Sequence, residues 1–370
     1  MNAERLHAIC RAIRTEMDNQ GTVAALQQVV NYIGRVVSQP QQPNHQSQLG
    51  SALTQFYTIL KDAPSDRFSP AWRQITDEIG GSDLLGSRLT VRIKGIFERN
   101  QITPSVANQE VQAVFEALQQ FKQAIDATVT GLEKLNIGAE ILAPGECELG
   151  ILVPRRAVKD GLKEFGEELQ DLDFILGTFS EVATGKRDPL PIKTISSSEL
   201  MVFLAAIPPV AACVAHAAER LVNAYKTLLE IRKLQGELKK QGLKDCEMTG
   251  ISARANSVMA TAVEEITIDV VEQYFQGKDN GRKNELINAM RISLSKLANR
   301  IDAGFNIEVR AEPPKKPKAP DAATTEEKTT KAYIDRVMSA SQALQFMNLP
   351  GHSILHLPEK TVKESKPKKS

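Results

Sequence analysis

Residues Leu200 to Ala218 read LMVFLAAIPPVAACVAHAA, 19 residues in which His216 is the only ionisable side chain. A stretch of that length can span a hydrocarbon core, so its reading decides what kind of fold the chain adopts. Three features turn it inward, toward a protein core. Pro208 and Pro209 fall in the middle, where proline removes an N–H and clashes with the preceding turn. Seven of the 19 residues are alanine, whose small side chains gain little on leaving water. The run also leads directly into ERLVNAYKTLLEIRKLQGELKK, a strongly amphipathic helical pattern. The stretch therefore reads as a buried helix–break–helix. Ser196 to Glu199 (SSSE) has the capping-box spacing, which places the first helix over 198–206. Pro208 or Pro209 then starts the next, which runs to 240.

Upstream, the pattern predicts helices over 2–18 and 22–38, with Thr22 capping the second. The polar, proline-containing stretch Gln39 to Ser47 connects to a helix over 48–62. Pro64 to Pro70 reads as a loop, and Pro70 suits the first position of the helix PAWRQITDEIG. A helix over 87–100 precedes a long one over 104–136, in which Val111, Val114, Leu118, Ile125 and Val129 recur at helical spacing. Thr103 is its expected cap. The texture changes at Pro144-Gly145. ELGILV (Glu148 to Val153) suits a buried strand, a helix over 155–179 follows, and PIKTIS (Pro191 to Ser196) is a second strand candidate.

Downstream come helices over 252–276 and 283–302. On the latter, Leu286, Met290, Leu294, Leu297 and Ile301 form a single apolar face. Gly304 stands where a helix closes in the left-handed conformation, and FNIEVR (Phe305 to Arg310) reads as a third strand. From Glu312 to Thr330 there are four prolines, many charges and no large apolar residue, the composition of a disordered linker. Beyond it an apolar helical face returns, and Ser353 to Leu357 reads as a further strand candidate. The expected fold is mainly α: an elongated multi-helix bundle with a small sheet of three short strands and a tethered C-terminal helical element. The expected divisions are an N-terminal helical region (1–143), a helical domain with the β element (144–312), a disordered linker (313–330), a docking or packing segment (331–358) and a basic tail (359–370).

Lys and Arg total 46 against 45 Asp and Glu, a formal charge of +1. The near-balance hides a separation. Residues 1–100 carry 11 basic and 9 acidic groups, residues 101–312 carry 24 and 30, and residues 313–370 carry 11 and 6. An acidic body is thus joined to a basic tail, whose nearest opposite charge is its own protein, and this argues against a nucleic-acid partner. The four cysteines, Cys10, Cys147, Cys213 and Cys246, form no CxxC pair. Free thiols, with no apolar signal segment at the start of the chain, give a cytoplasmic expectation.

Candidate chemistry is sparse. Thr184-Gly185-Lys186-Arg187 contains Gly-Lys but has Ser180 where a phosphate loop needs its first glycine, and Arg187 where it needs a hydroxyl residue. His7 and Cys10 lie one turn apart without a third ligand; a surface histidine beside a buried cysteine is the expectation. His352 and His356 lack the following glutamate of a zinc helix. Cys147, in a turn between Glu146 and Glu148, is held as a thiol by its acidic neighbours. Glu264, Glu265, Asp269 and Glu272 form a solvated acidic face with Arg282, Arg291 or Arg300 as expected partners. Arg88, Arg92, Lys94 and Arg99 and the set Arg291, Lys296, Arg300 read as salt-bridge or partner faces, and Trp72 as core filling. Asn256, Asn284, Asn299 and Arg300 are polar groups that a site assembled from distant residues would use.

No catalytic, cofactor-binding or metal-binding set emerges. The functional expectation is a non-enzymatic helical interaction or scaffold protein acting through self-association or a protein partner, with no cofactor. The candidate partner-binding residues are Tyr333, Ile334, Val337, Leu344, Met347, Ile354 and Leu355, an amphipathic helix and strand on a flexible tether. The alternatives are a membrane-acting protein that releases 200–218, and an enzyme or regulator whose site is not readable from sequence. The linker reading predicts that limited trypsin digestion cuts between Pro313 and Thr330 and leaves a stable body; survival of Lys315 to Lys328 in folded protein overturns it.

Overall fold

The computed structural model describes residues 2–19, 21–196, 200–242, 249–315, 324–349 and 353–360. The chain divides between Ile141 and Leu142 into two units, each with its own hydrophobic core.

Unit 1 is helical: α1 (Ala3–Asn19), α2 (Thr22–Ser38), α3 (Pro43–Leu60), α4 (Pro70–Glu78), α5 (Gly86–Arg99) and α6 (Pro104–Lys134). Each long helix turns one stripe inward, as Leu26, Val29, Val30 and Ile33 do on α2 and Leu89, Ile93 and Ile96 on α5. Phe56 and Leu60 of α3 fill the centre. Prolines 43, 70 and 104 each occupy a first helical turn, where the missing N–H costs nothing. Pro43 therefore starts the third helix earlier than the expected 48. Thr22 does not cap α2: it is the first helical residue, and Gly21, at φ +67°, makes the turn into the helix. Thr103 precedes α6 without a side-chain capping bond; its hydroxyl donates to Asn100 Oδ1 instead.

Unit 2 is built on an antiparallel sheet of β1 (Cys147–Val153), β2 (Ile192–Ser196), β3 (Leu200–Ala206) and β4 (Asn306–Ala311), in the order β2-β3-β1-β4. The helix expected over 198–206 is therefore a strand, and the described residues hold four strands rather than three. Residues 197–199, within the expected capping box, lie outside the described residues. The reason for the difference is physical. A central strand is buried on both faces, so Met201, Val202, Phe203 and Leu204 are consecutive buried residues. Such a run has no alternation, and periodicity alone does not separate it from a buried helix. Val202 pairs with Ile151 and Leu204 with Leu149, on the face that joins the main core. On the opposite face Met201 and Phe203 lie over Gly150. A Cβ at Gly150 would stand 2.8 Å from the Met201 methyl and 3.0 Å from the Phe203 ring.

The helices of unit 2 are α7 (Leu162–Thr184), α8 (Pro208–Lys226), α9 (Leu229–Lys240), α10 (Thr249–Tyr274), α11 (Asn280–Ala303) and α12 (Thr325–Ala343). The proline pair does break the chain, with Pro208 opening α8. The single helix expected to run to 240 is divided at Thr227 and Leu228 into α8 and α9. The helix expected over 155–179 begins instead with a short 3-10 turn at Arg155–Val158. Lys159 and Asp160 then take left-handed conformations before α7. Ala211, Ala212, Ala215, Ala217 and Ala218 of α8 are fully covered. Their small side chains let α7, α10 and α12 pack around one central helix. Asp279 caps α11, accepting from Gly281 N at 2.8 Å and Arg282 N at 3.2 Å, and Gly304 closes it at φ +98° as expected.

The C-terminal part differs most from expectation. Residues 325–330, assigned to the linker, are helical. Thr324 and Glu327 form a reciprocal capping box that starts α12, and α12 lies against α8 and β4. Much of the expected linker, residues 316–323, lies outside the described residues. Ser353 to Leu357 do not join the sheet; they run along α10 and α11, held by side chains. No helix among the described residues is long and apolar enough to cross a membrane.

Ile334 has no solvent exposure and sits in the main core of unit 2. Ile334→Ala is expected to lower unfolding stability by about 2–5 kcal/mol. A urea titration showing a loss below about 1 kcal/mol would mean that α12 rests on the surface rather than completing the core.

Candidate functional site

The segment after α12 is extended, and its main-chain groups need partners that neither a helix nor a sheet supplies. Unit 2 provides them from side chains. Four consecutive N–H groups donate to it: Ile354 and Leu355 to Asp302 Oδ2 at 2.5 and 2.7 Å, His356 to Asn256 Oδ1 at 2.7 Å, and Leu357 to Asn299 Oδ1 at 2.9 Å. The amides also donate in return, Asn256 Nδ2 to Ile354 O at 3.4 Å and Asn299 Nδ2 to Leu357 O at 3.1 Å. Seven residues earlier in the segment, Asn306 accepts from Met347 N at 2.7 Å and donates to Met347 O at 3.3 Å. Asparagine suits this task because its amide carries both a donor and an acceptor, as a peptide unit does.

These residues come from different elements. Asn256 lies on α10, Asn299 and Asp302 on α11, and Asn306 opens β4. Asn299 and Asp302 are three apart, so they share one helix face. Between the polar contacts Ile354, Leu355 and Leu357 are buried, while His356 is exposed. Beyond them Asn299 Nδ2 donates to Glu359 at 2.8 Å, and Lys296 and Arg300 each approach that carboxylate to 3.8 Å.

Asp302 is the centre of the arrangement. Its Oδ1 accepts from Tyr225 Oη at 2.5 Å and from Arg232 Nη1 at 2.7 Å, and Arg232 Nη1 also reaches the Asp302 carbonyl at 2.6 Å. Asp302 is fully buried and Arg232 nearly so. Burial raises the Tyr225 phenol well above its usual range, and the Asp302 charge adds to this, so the phenol stays a donor. Breaking a buried ion pair from one side costs about 3–5 kcal/mol, because the partner is left charged and unpaired.

All seven candidate partner-binding residues fall within unit 2. Ile334, Val337, Leu344, Ile354 and Leu355 are core members, and Tyr333 and Met347 pack against that core. In this structure they cover, and are covered by, their own chain. Of the four polar candidates, Asn256 and Asn299 meet on the segment. Arg300 binds Glu168 and Asp171 of α7 instead, and Asn284 is exposed. Sequence reasoning missed Asp302, Asn306, Tyr225 and Arg232. One signal was present: a carboxylate in the last turn of a helix faces the negative end of the dipole and needs a compensating partner.

The other candidates are held by structural partners. His7 is buried, not at the surface, with Nδ1 at 2.7 Å from the Ile137 carbonyl. Cys147 opens β1 rather than lying in a turn, and burial, aided by Glu146, pushes its thiol up to about 12. Burial likewise raises Cys10 to about 11. Cys246 and His352 lie outside the described residues, and no group of metal-binding side chains occurs among the described ones. Glu264 pairs with Arg291, and Asp269 with Arg220 and His216, while Arg282 pairs with Glu181 and Glu285. Lys296 joins Asp171 at 2.5 Å. In unit 1 Arg88 pairs with Asp77 and Arg99 with Glu110, and Trp72 meets Phe68 edge-on. No family model, curated protein or solved structure matches the chain.

His216 of α8 lies where α10 and α12 meet it. Its Nε2 is 2.8 Å from Asp269, its ring meets Tyr274 edge-on, and Tyr274 stacks on Tyr333 of α12. Burial first, then the positive charges of Arg336 and Arg220, hold its pKa below the ordinary value despite Asp269. The unfolded chain therefore takes up the proton first as pH falls below about 6.5, and folding stability is lost from that point down to the lower folded value. Urea denaturation is expected to show wild type losing more stability than His216→Gln between about pH 7 and pH 5. Equal losses would show that the fold does not hold His216 neutral.

Proposed function

We propose that this chain is a non-enzymatic helical interaction protein that works by holding polypeptide in unit 2, through self-association or a protein partner. The observation that carries the reading is the capture of four consecutive main-chain N–H groups by Asp302, Asn256 and Asn299. Main-chain contacts of this kind give affinity for extended polypeptide in general, and neighbouring apolar pockets give selectivity. The commitments of the reactive side chains support the same reading. The Cys10 and Cys147 thiols are raised away from thiolate, and both Asp302 oxygens are engaged by protein groups.

Self-association is read directly by light scattering on the full chain across a concentration range, with chemical cross-linking as a second measure. The expected outcome is a mass above the 40.6 kDa of one chain that grows with concentration. A strict monomer at every concentration that also holds no polypeptide added in trans overturns the reading.

A further inference from the structure

Resting on the interaction reading, we propose that α9 is the surface through which two copies of this chain associate. The two helices lie antiparallel across a two-fold axis, with Ile231, Leu234 and Leu238 of each between them.

The sequence carries one apolar stripe through Leu221, Tyr225, Leu228, Ile231, Leu234 and Leu238, and the structure divides it. Leu221, Tyr225 and Leu228 are buried in the core of unit 2. The bend at Thr227 and Leu228 then redirects the remainder. Arg232 is the one buried residue of α9, and it faces Asp302. Leu234 stands about 160° around the helix from Arg232, so it points away from the body. It is 50% exposed, while Ile231 and Leu238, one turn to either side, are half-buried. Spacings of three and four residues are those of a seam between two helices.

The charges beside the stripe say what covers it. Glu230, Lys233, Glu237 and Lys240 are all exposed, and their signs alternate along one side of it. In an antiparallel pair centred level with Gln235, Glu230 meets Lys240 of the second copy and Lys233 meets Glu237 of the second copy. Two-fold symmetry repeats both pairs. The apolar residues mesh in the same register, with Leu234 falling between Leu234 and Leu238 of the second copy. Parallel helices in register would set each charge against itself, and a partner of one sign would face two of the four with its own. The helix is thus complementary to itself in one orientation, the property of a closed two-fold interface. Lys233 also pairs with Glu230 of its own chain at 3.1 Å, and its three N–H donors serve both carboxylates. Exposed ion pairs add little affinity; they set orientation and register, and the apolar stripe supplies the attraction. With a helix only about 18 Å long, the association is weak and concentration-dependent.

The test is sedimentation equilibrium of the full chain and its variants over a range of concentrations, with circular dichroism to check that each is folded. Wild type is expected to dimerise, and Leu234→Glu to raise the dissociation constant at least about tenfold. Lys233→Glu and Glu237→Lys each set like charges across the axis, so each alone should weaken the dimer. An equimolar mixture of these two variants should recover it, because each supplies the charge the other lacks. A wild type that stays monomeric at every concentration overturns the proposal, as does a dimer that Leu234→Glu leaves unchanged, or a mixture that associates no better than its components. Where Leu234→Glu does not fold, the two charge variants and their mixture decide. A dimer indifferent to Leu234→Glu, or a monomer that captures another polypeptide, overturns this inference and leaves the interaction reading standing.

Discussion

A single carboxylate, that of Asp302, sets the terms on which unit 2 closes. Taken fully out of water, it must find hydrogen-bond partners for both oxygens or lose more than its burial is worth. It finds them in three places. Tyr225 reaches it from α8, Arg232 from α9, and two main-chain N–H groups from the segment after α12. Tyr225 and Arg232 lie seven residues apart and the two N–H groups are consecutive, but both sets are far in sequence from each other and from Asp302. The ion pair spans the bend at Thr227 and Leu228, joining Arg232 of α9 to Tyr225 of α8 and Asp302 of α11. The same carboxylate makes the last segment part of the polar accounting of the core, although that segment contributes neither helix nor strand.

A second constraint, volume, acts alongside. α8 is surrounded by α7, α10, α11 and α12, and over Ala211 to Ala218 it meets them mainly with small side chains. Five of the seven alanines that weakened the membrane reading, those on α8, are the ones that let the helices approach. Pro208, which broke the expected helix, separates a strand buried on both faces from this helix with only Ile207 between them.

The sequence made visible what is periodic or local. The helical stripes of unit 1, the strands around Leu149, Ile195 and Val309 and the stop at Gly304 all follow from patterns a few residues long. Leu200 to Ala206 escaped because a strand covered on both faces has lost the alternation that identifies strands. The start of α12 escaped because Thr324 and Glu327 sit inside a proline- and charge-rich context, so composition outweighed a sound capping signal. The site was the least legible part. Asn256 and Asn299 are recognisable as polar residues on apolar helices, but their targets lie 100 and 58 positions away. Asp302 is an ordinary helix-end residue until the main chain it binds is brought to it by the fold. Interactions at that separation have no local pattern to read.

The order in which the parts are joined has a consequence for synthesis. The sheet places β4, encoded near residue 310, beside β1, and the helices α8 to α11 are complete once Ala303 has been made. Yet the two N–H groups for Asp302 arrive only with residues 354 and 355. While the chain emerges, unit 1 has all its core residues early and is free to fold, whereas unit 2 waits with a charged group and an apolar trough uncovered. A chain cut short between Leu349 and Ile354 would carry every helix and strand of the described residues and still display that unfinished surface to the proteases and chaperones that sort incomplete products. The polar closure of unit 2 is thus complete only when residues 354 and 355 have been made, and it is written in main-chain hydrogen bonds rather than in side-chain pattern.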